Sequence, residues 1–372
     1  MNLATLALGM AAFQAAMVCR NLNLFAPPAK LDGDERFSDG LSVLVPARNE
    51  EKNLPVLLES LRSQLDCRFE VIILDDNSDD QTYQIARSAS QLDPRVKVHR
   101  SKTLPEGWAG KQYACHQLSE LADYDHWLFL DADVVLTDPR ALARIGRYIK
   151  ESPAAMASSI PHQITGTWAE QMVIPLIHLV LLGFLPFWEM RRNKLPALGA
   201  ACGQMVAVKR DPYEASGGHL AVRHRLHDAT ALAAHLRKEG HLTDLFDSTT
   251  LADCRMYENA KDVFLGFAKN ATEGMARPFL LPLWTFLLLS ANVLPWVLAL
   301  TSTATPILAT AQLLNLAVYL ALMVRYRQSA LGALTRPAGV LLFVAIQWLA
   351  LMGKWVGWKA SWKGRAYDRI YD

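Results

Sequence analysis

Glycine-rich phosphate loops are missing from this chain. Neither G-x-x-x-x-G-K-[ST] nor G-x-G-x-x-G occurs in its 372 residues, so neither a kinase-type P-loop nor a dinucleotide fingerprint is encoded. G-x-S-x-G is absent as well, which removes the nucleophile elbow of α/β-hydrolases. Cysteine is scarce: five residues, at 19, 67, 115, 202 and 254, share no paired spacing, so they indicate neither a zinc site nor a disulfide framework. Reduced thiols fit a cytosolic face. Internal repeats and low-complexity tracts are also lacking.

Charge is missing from the two ends. Residues 1–19, "MNLATLALGMAAFQAAMVC", carry none, and Arg20 closes them; this is about the length that crosses a bilayer. Without a basic n-region or a small-residue cleavage site, the run reads as an uncleaved anchor over 1–22 rather than a signal peptide. In the region 278–372, "PFLLPLWTFLLLSANVLPWVLAL" (278–300), "PILATAQLLNLAVYLALMV" (306–324) and the shorter "AGVLLFVAIQWLALMG" (338–353) are nearly free of charge. Arg20, Lys30, Lys269, Arg277, Arg325, Arg327 and Arg336 flank these spans, whereas the 301–305 loop "TSTAT" has no basic residue. The segment 20–277 is therefore expected on the cytoplasmic side. A full crossing by 338–353 would put Lys354, Lys359, Lys363, Arg365 and Arg369 outside, against the same rule, so this segment re-enters or the tail is external. "MVIPLIHLVLLGFLPFW" (172–188) holds two prolines and a histidine, and it reads as an interfacial or re-entrant helix. The net charge of +2 gives no reason to expect a nucleic-acid partner, although the basic flanks suit an anionic membrane leaflet.

Between the apolar ends, over 38–275, the pattern is strand, loop, helix, repeated. "LSVLVPA" is a short strand rich in branched residues; "RNEEKNLPVLLESLRSQ" follows, with Asn49 placed to cap a helix and Leu54, Leu57, Leu58 and Leu61 on one face. "FEVIILDD", "RVKVHR" and "HWLFLDADVVL" read as further strands, and "YQIARSASQL" and "KQYACHQLSELA" as helices. An α/β domain with a mainly parallel sheet results. Ligands of such sheets gather beyond the carboxyl ends of the strands. Three strands end there in candidate ligand groups: Pro46 to Glu50, Asp75 with Asp76, and Asp131 with Asp133. Two carboxylates one residue apart can share one hard cation, Mg2+ or Mn2+, with substrate phosphates completing its shell. Taken alone, an acid pair at a strand end is as readily a strand stop and a turn.

The ordered set "VLVPARNEEKNL", "EVIILDDNSDDQT", "LPEGWAGKQYACHQL", "FLDADV" and "LHDATALAAHLRKEGH" resembles the family-2 glycosyltransferases of the GT-A fold over about 41–270. The anchor, the C-terminal spans and the final "WKGRAY" look like the membrane-bound members associated with hopanoid and carotenoid glycosylation. The resemblance implies that Pro46, Ala47, Arg48, Glu50, Asp75 and Asp76 hold the uridine of a UDP-sugar, and that Asp131 and Asp133 ligate Mg2+ or Mn2+. Lys111 is placed to approach the nucleotide phosphates or to be merely solvated at a helix start. Gly203 and Gln204, in "LGAACGQMVAVKRDPYEASGGH", fall in the segment that lines the sugar and acceptor side.

For catalysis the resemblance implies an acidic pair at a helix start; here the dipeptide is His227-Asp228, so Asp228 keeps the base and the glutamate is absent. Asp228 also suits a helix N-cap, with Gly240 closing the helix. Q-x-x-R-W, the mark of processive synthases, has no tryptophan in the matching "CRMYENAKDVFLGFAKN", which disfavours polymer synthesis. The expected function is inverting transfer of a sugar from a UDP-sugar to a lipid-embedded, hopanoid- or carotenoid-like acceptor at the cytoplasmic face of a bacterial inner membrane. Polyprenyl phosphate is the alternative acceptor, and a nucleotide-binding scaffold without chemistry is the alternative of another class.

Overall fold

The computed structural model describes residues 2–301, 306–356, 361–362 and 365–366. Most of the 301–305 loop and half of "WKGRAY" lie outside them. Two units are distinguished: one built on a sheet, over Phe25–His162 and Phe187–Arg255, and one of helices, over Met1–Leu24, Gln163–Pro186 and Met256–Arg369.

In the sheet unit, β1 (Phe37–Ala47), β2 (Cys67–Asp75), β3 (Val96–Arg100), β4 (His126–Leu130), β5 (Val134–Leu136), β6 (Met156–Gln163), β7 (Met205–Lys209) and β8 (Thr243–Cys254) form an eight-stranded sheet. Its order is β3-β2-β1-β4-β7-β6-β8-β5. β1 pairs in parallel with both β2 and β4, and β2 with β3. Leu41, Val43, Leu44 and Val45 are all fully buried, as expected of a central strand covered on both faces.

The direction reverses at β7, which runs antiparallel to β4 with Leu130 opposite Met205. An antiparallel neighbour begins where its partner ends. Residues 203–204 are thereby delivered to the carboxyl end of β4, where Asp131 N donates to Gln204 O at 3.0 Å.

Two local expectations are corrected. The first helix starts at Leu54 with Asn53 as its N-cap residue, not at Asn49. Asn49 adopts φ 52°, a left-handed conformation that asparagine tolerates, and its Oδ1 accepts from Asp79 N at 2.9 Å. It thus stitches the loop after β1 to the loop after β2. Likewise "HWLFLDADVVL" is not one strand: Val134 N donates to Asp131 O in a turn, and β5 leaves to pair with β8.

Among the described residues the helical unit contains three helices long and apolar enough to cross a membrane, Leu3–Leu24, Pro306–Arg325 and Arg336–Trp355. The last extends past the expected 338–353 at both ends. The expected span 278–300 is a pair, Leu281–Asn292 and Leu294–Thr301, bent by 54°. Pro295 accounts for the break, since it has no N–H to offer the Ala291 carbonyl. Asn315 Nδ2 supplies the missing donor to Ala291 O at 2.8 Å, as backbone groups in an apolar surround require.

The apolar run at 172–188 forms short helices, Trp168–Val173 and Leu176–Phe184. Asn21 Nδ2, on the N-terminal helix, donates to Leu182 O at 2.8 Å and Leu185 O at 2.7 Å at the end of the second. Gly332 and Gly339 let the backbone of the first come very close: a Cβ at Gly332 would lie 2.0 Å from Gln171 O, and one at Gly339 2.5 Å from Met172 O.

Candidate active site

Two helices aim their first turns at the carboxyl end of β4. Gly110–Leu121 and Asp228–Lys238 place Ala114, Cys115, Leu118, Ala229, Leu232, Ala233 and Leu236 in the same core cluster as Trp127, Phe129, Val206 and Val208. With those faces packed into this one cluster, Lys111 and Asp228 come together over the strand end. Two further bonds fix the approach: Ala109 N donates to Arg223 O at 2.8 Å, and Gln112 Nε2 to Arg225 O at 2.7 Å. The loop before Asp228 is thereby tied to the helix that carries Lys111.

Lys111 Nζ lies 2.7 Å from Asp131 Oδ1 and 3.0 Å from Asp228 Oδ2, and it also approaches Gly203 O at 3.4 Å. Burial by itself would lower the lysine's pKa, but the Asp131 and Asp228 carboxylates outweigh it and hold the ammonium well above its ordinary value. Burial would raise the Asp228 carboxyl; Lys111, the Ala229 N–H and His219 reverse this and hold it well below the usual carboxylate range. Lys111 and Asp228 therefore both stay charged at neutral pH.

Gly203 is a steric necessity here. A Cβ at that position would sit 2.9 Å from Asp228 Oδ1 and 3.4 Å from Lys111 Nζ, so any side chain would push the carboxylate aside.

Pro46, Lys111, Asp131, Gly203 and Asp228 line one crevice, with Cys115, Phe129 and His219 at its wall. His219 is buried, bonds through Nδ1 to the Tyr213 hydroxyl at 2.6 Å, and meets the Phe129 ring edge to face. Burial pushes its pKa down to about 4, so the imidazole is neutral. The expected N-cap role of Asp228 is corrected: His227 occupies the cap, Asp228 is the first helical residue, and its carboxylate turns to Lys111.

A second group lies at the ends of β1 and β2. Ala47 is opposite Asp75, and Asp76 N donates to Ala47 O at 2.7 Å. Arg48 Nη1 donates to Asp76 O at 2.6 Å and Asn77 O at 3.0 Å, clamping the two loops. Glu50, Asp75 and Asp76 are all buried; Glu50 N donates to Thr82 Oγ1 at 2.7 Å, and its Oε2 accepts from Asn53. Both groups sit on one edge of the sheet, with Pro46 on β1 belonging to each.

One candidate side chain turns elsewhere. The Gln204 side chain donates to Cys254 Sγ at 2.8 Å and accepts from Cys202 Sγ at 3.4 Å, while its main-chain carbonyl serves the Asp131 turn. Asp133 faces the Cys254 thiol, which burial and that carboxylate push well above its ordinary pKa. Gln112, Cys115 and His219 carried no signal in the sequence beyond their place in helical or loop patterns.

Among the described residues no cluster of three or more His, Cys, Asp or Glu could hold a metal ion. A site closed by protein ligands alone is thus not built here. Asp131 with Asp133 fits a hard divalent cation that takes the rest of its shell from phosphate oxygens and water. The cationic place beside Asp131 is filled by Lys111.

A mainly parallel, Rossmann-like sheet with its polar groups gathered at the strand ends, joined in one chain to a helical unit, is the GT-A fold with apolar helices appended. Residues 42–217 match the family described as Glycosyl transferase family 2, and the chain carries a family-2 glycosyltransferase domain. A 4,4'-diaponeurosporenoate glycosyltransferase of Staphylococcus haemolyticus (strain JCSC1435) is 30% identical over 241 residues, covering 64% of this chain and 62% of that protein. One of the same name from Staphylococcus aureus (strain USA300) is 25% identical over 236 residues, covering 63% and 61%. The matched part is thus a little under two thirds of these relatives' length. In fold the chain is similar to the mannosyltransferase PcManGT from Pyrobaculum calidifontis, solved in complex with GDP-Man and Mn2+, with a TM-score of 0.58, 17% identity, and coverage of 95% of this chain and 99% of that one.

Proposed function

We propose that the protein transfers a sugar, with inversion, from a UDP-sugar to a lipid-embedded acceptor at the cytoplasmic face of a bacterial inner membrane. The observation that carries this reading is the triad of Asp131, Lys111 and Asp228 in one crevice at the carboxyl end of β4. It supplies a carboxylate for a cation, a cation for a diphosphate and a carboxylate for a proton. Ala47, Arg48, Glu50, Asp75 and Asp76 form the nucleoside end of the donor site, with Pro46 joining it to the crevice. Asp131 and Asp133 are the residues that would hold Mg2+ or Mn2+, whose charge would ease departure of the diphosphate.

Asp228 takes the proton from the acceptor hydroxyl or acid as it attacks the anomeric carbon. In the resting crevice Lys111 suppresses the basicity of Asp228. Arrival of the diphosphate draws Lys111 toward the phosphate oxygens, and Asp228, left buried with less positive charge beside it, becomes the stronger base. Gly203 keeps the space beside this carboxylate clear. The helical unit, with three helices long and apolar enough to cross a membrane, suits an acceptor that stays in the bilayer. The carotenoid-related names of the relatives favour a carotenoid-like acceptor over polyprenyl phosphate.

The test is transfer of radiolabel from a panel of UDP- and GDP-sugars into total lipid extract by the detergent-purified full chain, with Mn2+ or with chelator, beside Asp228→Asn. Label should enter an organic-soluble product only with metal and only with the wild type. Binding of UDP with no labelled lipid and no UDP release from any donor would instead identify a nucleotide-binding scaffold.

A further inference from the structure

Arg336 opens the helix Arg336–Trp355 and is wholly buried. Its Nη2 donates to Gln328 Oε1 at 3.0 Å, and the Tyr319 ring lies 5.5 Å from the guanidinium carbon. Nε and Nη1 are buried with no hydrogen-bond acceptor. Among the described residues no Asp or Glu pairs with it. Glu170, a buried carboxylate of the same unit, accepts instead from Gly166 N, Thr167 N and Thr167 Oγ1.

A guanidinium does not lose its proton at neutral pH, so burial leaves a full positive charge with idle donors. Such a charge is strongly destabilising unless something compensates it. Among membrane helices, an ionisable group of this kind marks a ligand or a pathway.

The surroundings say what the compensating group is. Gln328 Nε2 contacts His178 Nδ1 at 3.2 Å, and His178 stacks on Tyr326 with ring centroids 4.1 Å apart. The Tyr319 hydroxyl donates to Asn292 Oδ1 at 3.1 Å. These are aromatic rings, amides and one imidazole, with no carboxylate among them, so the wall around the guanidinium is largely apolar. The place is the junction between the end of Pro306–Arg325 and the start of Arg336–Trp355, where Arg325 and Arg327 also gather, as expected at the head-group level of a cytoplasmic leaflet.

We propose that Arg336, with Gln328 and Tyr319, binds the anionic oxygen group, carboxylate or phosphate, of an amphiphile whose apolar chain lies among the helices of this unit. The group has two sources: the acid group of the acceptor or the head group of an anionic phospholipid. Binding needs no sugar transfer, so this site stands or falls independently of the proposed reaction.

The test is native mass spectrometry of the full chain in detergent, offered phosphatidylglycerol, phosphatidylcholine, oleate or inorganic phosphate in turn, for the wild type, Arg336→Met and Arg336→Lys. The wild type should retain one phosphatidylglycerol or one oleate about ten-fold more than phosphatidylcholine. Arg336→Met should lose that preference, and Arg336→Lys should keep part of it. Stronger retention of oleate assigns the site to a carboxylic acid acceptor; stronger retention of phosphatidylglycerol assigns it to a bilayer lipid. Equal retention of the zwitterionic and anionic lipids by the wild type overturns the proposal, as does inorganic phosphate binding as well as either amphiphile. Should Arg336→Met fail to fold, the wild-type preference and its change in Arg336→Lys still decide.

Discussion

Replacing Lys111 by methionine keeps most of the unbranched side chain and removes the charge that separates two carboxylates. At separations of 2.7 and 3.0 Å, each ion pair is worth about 5–6 kcal/mol of gross attraction at an effective dielectric of ~20. Desolvation offsets most of that. The side chains of Lys111, Asp131 and Asp228 retain 23, 26 and 13% exposure, so water screens what remains. A net loss of about 2–3 kcal/mol is expected, below the ~3–5 kcal/mol for breaking a fully buried pair. For a unit of this size that lowers the melting temperature by roughly 5–10 °C.

The dependence on pH gives the sharper test. In the wild type Asp228 is held below its ordinary value, so its contribution to stability is complete above the unfolded carboxylate pKa of about 4 and is lost as pH falls toward the folded value. In Lys111→Met the sign reverses. Burial without a cation raises the folded pKa of Asp228, so the destabilisation is present at neutral pH and is relieved on acidification. Thermal unfolding followed by intrinsic fluorescence, in detergent with chelator, should show the gap between the two proteins narrowing from about pH 7.5 to about pH 5. A gap that stays constant, or no gap at all, refutes the electrostatic account of the crevice.

Gly203→Ala should lower kcat by about ten-fold or more, because its Cβ would sit 2.9 Å from Asp228 Oδ1 and displace that carboxylate; a kinetic comparison at saturating donor decides it. Gln112→Leu removes the bond to Arg225 O and should loosen the loop before Asp228, lowering kcat by several-fold with the sheet intact by circular dichroism. His219, with its pKa pushed down to about 4, is neutral above that pH and should give transfer no step near neutrality; a step near pH 6.5 that vanishes in His219→Gln would contradict its burial. Gly332→Ala drives a methyl group into Gln171 O and should destabilise the helical unit by about 1–3 kcal/mol, read as a lower melting temperature.

The parallel half of the sheet was legible because β1, β2 and β4 are continuous apolar runs ending in polar residues, a pattern that composition alone displays. Asp131 could be seen for the same reason: it follows the last apolar residue of such a run. Lys111 could not be placed, since spacing says where a lysine sits on a helix but not which crevice that helix faces; that depends on packing of Ala114, Cys115 and Leu118 into the core cluster they share with Trp127, Phe129, Val206 and Val208. Asp228 was visible as a base through resemblance and as a cap through local pattern, and the ion pair with Lys111 decided which way its carboxylate turned. Asn49 misled for a related reason. Its side chain suits a cap, but the loop after β2 offered Asp79 N as a better partner. The split of "HWLFLDADVVL" was hidden because both halves are apolar, and only the pairing of β5 with β8 separates them.

Asn21 has a consequence for the N-terminal helix. By donating to the Leu182 and Leu185 carbonyls, it closes the end of a short apolar helix that would otherwise present bare carbonyl oxygens to apolar surroundings. The leading segment is thus a component of the helical bundle, not an interchangeable tether. A foreign apolar helix of equal length without an amide at this position would leave the Leu182 and Leu185 carbonyls without their donor, and the end of the helix Leu176–Phe184 would lose what closes it.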